Sequence, residues 1–301
     1  MTHYDNSSLQ DFKDCQERYR LKNVLGLKKR EEGYESIDKV WGKAIHKGLE
    51  AFYKGNGGLV KGVEAFLADL GEVPFQEEKV KTKDNGQKLL EAYAKHYEKE
   101  DKNWEILEVE EPHTFNLGVF PFIVKKDMVV RLQGNIFAVE HKTTKKAMNW
   151  DYWGRFEPNS QVSAQVYSTM LKYGQCSGVI VNALKVGYRE RMYKGEPAGF
   201  HCDFVRNLFN RNKEQVEDWK EQTISWLSSL DAKLPKVASL RSAPFVSWNK
   251  NECQCFYCGY KEICNTLGDE GVVESLYEVV NPWAYLEDKK DALHSTGTGE
   301  A

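Results

Sequence analysis

The sequence predicts an α/β protein of the α+β type, with one mixed central sheet flanked by helices. Helical patterns fill the first hundred residues, β-prone segments run from Trp104 through Lys142, and helices and strands alternate after that block. With 301 residues, of which 41% are hydrophobic and 12% aromatic, the chain can bury the core of one large domain or two small ones.

Helices are predicted on both sides of the strand block. Ser7 or Ser8 is expected to cap a first helix that continues through Cys15 to about residue 21. Further helices are predicted at about 37–53, 59–70, 85–98, 161–173 and 212–230, and a strand pair at 177–186 and 188–193. We expect a helical region at 1–103, a core at 104–240, a cysteine segment at 241–268 and an acidic tail at 269–301.

A predicted β-hairpin carries Asp127, Glu140 and Lys142. A turn at Gln133-Gly134 would place Asp127 directly opposite Glu140. A turn at Gly134-Asn135 would place Asp127 opposite Lys142 and diagonal to Glu140. The three side chains share one face in either register, because strand side chains alternate between faces.

The hairpin predicts a divalent metal site. Its carboxylates would have Cβ atoms about 5 Å apart if opposed and about 7 Å apart if diagonal, and such charges repel without a cation. The alternative is a solvated ladder of charges. Ile136 and Ala138 share the face of Glu140, however, while Phe137 and Val139 point the other way. A strand that is apolar on both faces is usually covered on both, which makes an unpaired charge in it costly.

Charge is distributed unevenly along the chain. The net charge of −3 combines an acidic segment from residue 268 with basic clusters at 13–30 and 142–146. Such clusters suit a local phosphate-binding path, although solvated helix faces look similar. The sequence shows no signal peptide and no long apolar run, so we expect a cytoplasmic protein outside the membrane. The last residues, HSTGTGEA, have the composition of a disordered tail.

The cysteine pattern predicts a metal or cluster site. Cys255, Cys258 and Cys264 form C-x2-C-x5-C near the C-terminus, with Cys253 just ahead and Cys15 near the N-terminus. Close thiolates at this spacing bind zinc or an iron–sulfur cluster. A zinc ribbon normally supplies a second local C-x2-C pair, which this sequence lacks.

Two further residues are candidates for the same site. His46 lies on a predicted helix one turn after Gly42, where the missing side chain would let another segment approach. Gln161 opens the helix that follows the hairpin. Taken alone, His46 fits a packing residue and Gln161 fits a polar residue at a helix start.

Together these residues resemble the PD-(D/E)XK nuclease superfamily, in particular its RecB-like branch. The matching order is His46, Asp127, Glu140-His141-Lys142 and Gln161. The cysteines resemble the iron–sulfur subgroup, which includes the AddB nuclease subunit and the CRISPR adaptation exonucleases. The resemblance covers about residues 7–266. Two positions depart from the pattern: Val124 stands where the family often has Gly, and Gln165 where it often has Tyr.

The resemblance implies a restriction-endonuclease-like fold and a role for each motif residue. His46, Asp127, Glu140 and the backbone carbonyl of His141 would hold Mg²⁺ or Mn²⁺. Lys142 would orient the attacking water or stabilise the transition state. Gln161 would orient the lysine or a metal-bound water. A [4Fe–4S] cluster on Cys15, Cys255, Cys258 and Cys264 would have a structural role.

The implied activity is that of a metal-dependent DNA nuclease, most simply an exonuclease that processes single-stranded DNA or DNA ends. One alternative is a non-catalytic DNA-binding module with a metal staple, and another is a restriction-type endonuclease. Since the sequence contains no helicase motif, any unwinding would come from a partner. Such a partner would be a helicase, a recombination protein or a CRISPR adaptation protein.

Overall fold

The computed structural model describes residues 3–30, 36–55, 57–71, 79–192, 195, 198–233, 255 and 258–284. The helices in these ranges are α1 (Asn6–Asp14), α2 (Gln16–Tyr19), α3 (Ile37–Tyr53), α4 (Gly58–Leu70), α5 (Lys83–Asp101), α6 (Trp150–Gly154), α7 (Ser160–Tyr173), α8 (Lys213–Asp231), α9 (Lys261–Asn265) and α10 (Glu270–Leu276). The strands are β1 (Leu27–Lys29), β2 (Glu105–Val109), β3 (Pro112–Leu117), β4 (Phe120–Lys125), β5 (Met128–Leu132), β6 (Asn135–Thr144), β7 (Gly178–Arg189), β8 (Gly199–Phe209) and β9 (Tyr277–Val279).

The central sheet has five strands in the order β2-β5-β6-β7-β8. Strands β6 and β7 are parallel, while the other neighbours in this sheet are antiparallel. The predicted α+β fold with a mixed sheet between helices is therefore confirmed. The described part of the chain contains no helix that is long and apolar enough to cross a membrane.

The chain divides into two compact units. The larger unit contains residues 33–113 and 124–219, and the smaller contains residues 1–32, 114–123 and 220–301. The larger unit includes the central sheet and the predicted hairpin, whereas the smaller includes Cys15 and the C-terminal cysteines.

The hairpin strand β6 is covered on both faces, as its sequence predicted. On one face Val139 packs in a cluster that also contains Trp41 and Ile45 of α3. On the other face Ala138 packs with Val162 of α7 and other apolar residues. A charged side chain on β6 therefore lies beside apolar packing and needs a polar partner.

The prediction for the first helix is wrong in two respects: the residue that caps it, and its continuation past Cys15. Asp5 caps α1, since its carboxylate accepts the Ser8 N–H at 2.6 Å while the Ser8 hydroxyl accepts the Asp5 N–H at 3.0 Å. The helix then breaks at Cys15, whose backbone is extended with φ −159°. After α2, a π-helical turn at Arg20–Val24 completes this region.

The predicted strand pair at 177–186 and 188–193 is also wrong. Strand β7 continues through Gly187 to Arg189, and its antiparallel partner is β8, which the sequence reading missed. Gly187 does not end the strand. It makes room for His201 of β8, because a Cβ at Gly187 would lie 2.5 Å from the imidazole ring.

Part of the C-terminal prediction lies outside the described residues. This applies to 234–254, which includes Cys253, and to the tail from 285. The described part of the acidic segment includes α10 and β9, and β9 pairs antiparallel with β1.

Candidate active site

The hairpin turn is Gln133-Gly134, the first of the two registers considered. Both residues have positive φ, at 50° and 82°, and Met128 pairs with Val139. A two-residue turn of this hand matches the right-handed twist of paired strands. The next positions beyond Met128 and Val139 are Asp127 and Glu140, so the turn brings the two carboxylates to the same end of the hairpin.

Asp127 is held between the hairpin and helix α3. Its Oδ2 accepts the backbone N–H of His141 at 2.6 Å, and its Oδ1 lies 3.5 Å from Nδ1 of His46. Burial works to raise the pKa of Asp127, but the charge and hydrogen bond of His46 hold it well below its usual range. Burial likewise opposes the charge on His46, yet Asp127 raises the pKa of that imidazole.

Glu110, a residue missed by the sequence reading, completes this group. One ligand atom each from His46, Glu110 and Asp127 lie within 4.8 Å of one another. Glu110 has φ 55°, donates its N–H to the Asp127 carbonyl at 2.9 Å, and forms an ion pair with Lys125. Burial and the charge of Asp127 raise the pKa of Glu110. The only sequence signal was an acidic residue at the end of a strand.

Glu140 is buried and contacts three donors. Gln161 Nε2 donates to its Oε1 at 2.9 Å, Gln165 Nε2 donates to its Oε2 at 2.6 Å, and Lys142 Nζ forms a short contact with Oε1. Burial and the charge of Asp127 raise the pKa of Glu140, while Lys142 and Gln165 oppose the rise. Both amides come from the same face of α7, four residues apart.

Lys142 is charged at neutral pH in this environment. Burial favours the neutral amine, but the Glu140 carboxylate outweighs it and raises the pKa of Lys142. The side chain is one third exposed, and its ammonium contacts the Glu140 carboxylate. The arrangement offers carboxylates and an imidazole to a cation, and a positive charge to an anion next to it.

Comparison with models of protein families shows to which family this chain belongs. The profile of the PD-(D/E)XK nuclease superfamily matches residues 6–265. The chain belongs to the PD-(D/E)XK nuclease superfamily. Nucleases of this superfamily use divalent metals, and the group around Asp127 has the oxygen and nitrogen donors that such ions prefer.

Three solved structures resemble this nuclease in part. A protein from Eubacterium rectale, provisionally named an exonuclease, is 14% identical, with 77% of this chain and 82% of that chain covered and a TM-score of 0.46. LHK-Exo, crystallised with dAMP, is 13% identical, with 65% and 94% covered and a TM-score of 0.28. A protein named SSO0001 is 13% identical, with 86% and 94% covered and a TM-score of 0.28. A search of curated proteins gives no match.

The His141 side chain lies in the core, on the opposite side of β6 from Glu140. A 2.8 Å hydrogen bond joins its Nδ1 to Asn182 Nδ2, and the ring stacks on Tyr53 with centroids 6.0 Å apart. Asn182 also donates to Tyr93 at 2.7 Å. Burial lowers the pKa of His141 to about 3, so the imidazole is neutral. This packing fixes the His141 peptide, whose N–H holds Asp127.

A cleft of about 370 Å³ opens over His46 and Asp127 of the nuclease. Lys39, Lys43 and Lys47 of α3, spaced four residues apart, line it together with the carboxylates. Thr143 of β6 is the neighbour of Gly42, where a Cβ would lie 3.4 Å from the Thr143 Oγ1, at ordinary van der Waals distance.

The four cysteines singled out in the sequence belong to the smaller unit. Cys15, Cys255, Cys258 and Cys264 are free thiols of intermediate exposure. Burial and the neighbouring groups, Glu17 and the other three thiols, raise the pKa of Cys264 to about 12. The pKa of Cys258 is also raised, first by burial and then by Cys15 and Cys255, against the charge of Arg18. The four sulfur atoms are therefore electrostatic neighbours.

Proposed function

We propose that this nuclease is a metal-dependent exonuclease that hydrolyses phosphodiester bonds in single-stranded DNA or at DNA ends. One observation carries the proposal: Asp127, Glu140 and Lys142 meet at one end of the β5–β6 hairpin, beside His46. Carboxylates for a metal and an ammonium for the phosphate, side by side, are what phosphodiester hydrolysis requires.

The donor set fits a divalent metal. His46, Glu110 and Asp127 already lie within ligand distance of one another, and Glu140 adds a buried carboxylate. The His141 carbonyl would complete the protein ligands. A mixed set of oxygen donors and one imidazole suits Mn²⁺ or Mg²⁺, with the imidazole favouring Mn²⁺. When bound, the ion supplies an activated water and neutralises charge on the scissile phosphate.

Lys142 acts as a cation and hydrogen-bond donor in this proposal. The raised pKa of Lys142 keeps its proton in place, so it is poorly suited to be a general base. An ammonium beside Glu140 stabilises the negative charge that develops on the phosphate oxygens. The water oxygen bonds to phosphorus and gives up a proton to solvent, the bridging P–O bond breaks, and the leaving oxygen takes a proton from solvent.

Gln161 and Gln165 orient Glu140. Each amide donates to a different carboxylate oxygen, which fixes the plane of the carboxylate. Gln165 stands where the family often has Tyr, and here it serves the same carboxylate as Gln161. The lysine row Lys39, Lys43 and Lys47 gives the neighbouring cleft the positive charge that a DNA backbone needs.

We also propose that Cys15, Cys255, Cys258 and Cys264 hold a [4Fe–4S] cluster. Cys255, Cys258 and Cys264 form C-x2-C-x5-C, and the sequence lacks the second local C-x2-C pair that a zinc ribbon normally supplies. The thiols of these three residues and of Cys15 are electrostatic neighbours in the structure. Four cysteine thiolates are the ligands that an iron–sulfur cluster requires.

Three DNA substrates test the proposed activity. The protein, purified with its cluster, is incubated with Mn²⁺ and end-labelled single strands, blunt duplex or closed circular DNA. We expect nucleotides to be released only from open ends. Linearised circles would indicate a restriction-type endonuclease, and absence of cleavage on all three would leave a DNA-binding module.

Lys142→Ala serves as the catalytic control. It should retain most DNA binding, since the lysines of α3 remain, but lose cleavage. Full cleavage by this variant would contradict the role given to Lys142. The cluster is tested separately: protein purified without oxygen should be brown, with absorption at about 400 nm and about four irons per chain. Colourless protein with stoichiometric zinc would contradict the cluster.

A further inference from the structure

Trp150 is one of the most exposed large apolar side chains among the residues described, at 83% exposure. It is the first residue of α6, in the connection between β6, which carries Glu140 and Lys142, and α7, which carries Gln161. An indole this exposed keeps a large flat apolar surface in water, where another planar ring can stack on it.

Helix α6 is anchored beside the catalytic residues. Tyr152 and Phe156 are buried in the cluster that includes Val162 of α7. The Arg155 guanidinium stacks on the Tyr152 ring at 4.1 Å. Tyr152 is also close enough to Lys142 for each group to shift the pKa of the other. The exposed indole therefore sits on a fixed element that borders the active site.

The space next to the indole suits a base better than a phosphate. A cleft of about 610 Å³ is lined by Trp150, Asp151, Gly154, Glu157 and Pro158. Its surface is mostly apolar, and a Cβ at Gly154 would meet open space. The two carboxylates would repel a phosphate, whereas they can accept hydrogen bonds from the N–H groups of bases, which include the ring N3–H of thymine.

Phosphate contacts are available immediately before the indole in sequence. Lys145 and Lys146 are exposed and lie between Lys142 and Trp150. Lys145 forms an exposed ion pair with Asp38, at 3.5 Å. Such a pair contributes little free energy, so Lys145 can readily contact another anion instead. Cations near an exposed aromatic side chain are the combination found on surfaces that bind single-stranded nucleic acid.

We propose that residues 145–150 form a single-strand DNA-binding surface in which Lys145 and Lys146 contact phosphates and Trp150 stacks on an unpaired base. The surface rests on the proposed function, because DNA is the substrate it would present to the site. Stacking needs an accessible base face, which a base inside a duplex does not offer. The surface therefore gives the enzyme a preference for single strands over blunt duplex.

Binding measured without hydrolysis tests this surface. Fluorescence anisotropy of a labelled oligothymidine, with Ca²⁺ replacing Mn²⁺, gives the Kd of the wild type, Trp150→Ala and Trp150→Phe. Loss of one stacked base should raise the Kd of Trp150→Ala roughly 5- to 150-fold, with a smaller change for Trp150→Phe. Val60→Ala, which removes an apolar side chain 69% exposed on α4, should leave the Kd unchanged.

An abasic oligonucleotide of the same length separates stacking from charge. The wild type should bind it more weakly than oligothymidine, whereas Trp150→Ala should bind both equally. Unchanged affinity of Trp150→Ala for oligothymidine, or no binding by the wild type, would overturn the surface. Cleavage of DNA by the wild type with Mn²⁺ decides the proposed function independently, so either proposal can fail without the other.

Discussion

Gln165→Leu tests whether the second amide on Glu140 sets its charge and orientation. The substitution removes the Nε2 donor, which lies 2.6 Å from Glu140 Oε2, at a position with no exposed surface. Leucine has a similar volume, so the packing of α7 changes little. The substitution also removes Gln165 Oε1, which accepts no hydrogen bond from the described residues.

The expected loss is mainly in metal binding. A hydrogen bond to a charged group contributes about 1.5–3 kcal/mol, which corresponds to roughly 10- to 150-fold in an equilibrium constant. The bond from Gln165 lowers the pKa of Glu140 against the effect of burial, so its removal raises that pKa further. Because a carboxylate must be deprotonated to bind a metal, the Mn²⁺ affinity should fall most at low pH.

Calorimetric titration with Mn²⁺ and cleavage rates across pH measure this effect. The acid limb of the activity profile should move to higher pH in Gln165→Leu. Thr169→Val is the matched control, because it removes a neutral hydrogen bond to the Gln165 carbonyl, also at a fully buried position of α7. Gln165 does not have this role if both variants keep the wild-type Mn²⁺ affinity and pH profile, or if both lose them equally.

Three further predictions concern the metal group, the thiols and the core. Glu110→Gln should weaken Mn²⁺ binding measured by calorimetry, because it removes one carboxylate of the metal group. The control Glu111→Gln, at the exposed neighbouring position, should leave the Mn²⁺ affinity unchanged. Equal Mn²⁺ affinities of the two variants would show that Glu110 is not a metal ligand. Cys258→Ala should lose both the brown colour and several degrees of melting temperature, and a colourless variant with unchanged melting would show that the cluster does not stabilise the fold. The third prediction concerns His141, whose pKa is lowered to about 3 by burial. With metal removed by EDTA, the free energy of unfolding should decline as pH drops below about 6.5, because the unfolded chain then binds a proton that the buried imidazole does not. The decline should be at most about 1.4 kcal/mol per pH unit. Urea titrations at several pH values should show that the unfolding free energy of His141→Gln declines less steeply with falling pH. The same decline in the variant and the wild type would contradict the role of His141 in this pH dependence.

Much of the fold was predictable because local patterns match the tertiary environment. Helix α3 was predicted at its observed bounds, since its apolar spacing and the glycines after it are local signals. Strand β8, at the edge of the sheet, was missed because its polar and apolar residues do not alternate: Phe204-Val205 and Leu208-Phe209 are apolar pairs on either side of the polar pair Arg206-Asn207. The break at Cys15 was missed as well, because nothing in the adjacent sequence marks the extended backbone there.

The candidate active site was likewise predictable only in part. Asp127, Glu140 and Lys142 were predicted to share a face in either register, since that depends only on strand periodicity. Glu110 escaped prediction because its side chain meets Asp127 through a backbone turn with positive φ, a long-range arrangement without a local motif. Gln165 was noted only as a departure from the family pattern, whereas the structure gives it a contact with Glu140.

Three features of this protein follow from periodicity and spacing in the sequence: the order of the chemical groups, the hairpin that carries them and the cysteine pattern. The tertiary structure brings groups from distant parts of the chain together. It placed His46 and Glu110 next to Asp127. It also brought the Gln161 and Gln165 amides and the Lys142 ammonium to the Glu140 carboxylate. It also left Trp150 exposed. Contacts between elements far apart in sequence depend on packing of the whole sheet and its helices, which no local pattern encodes.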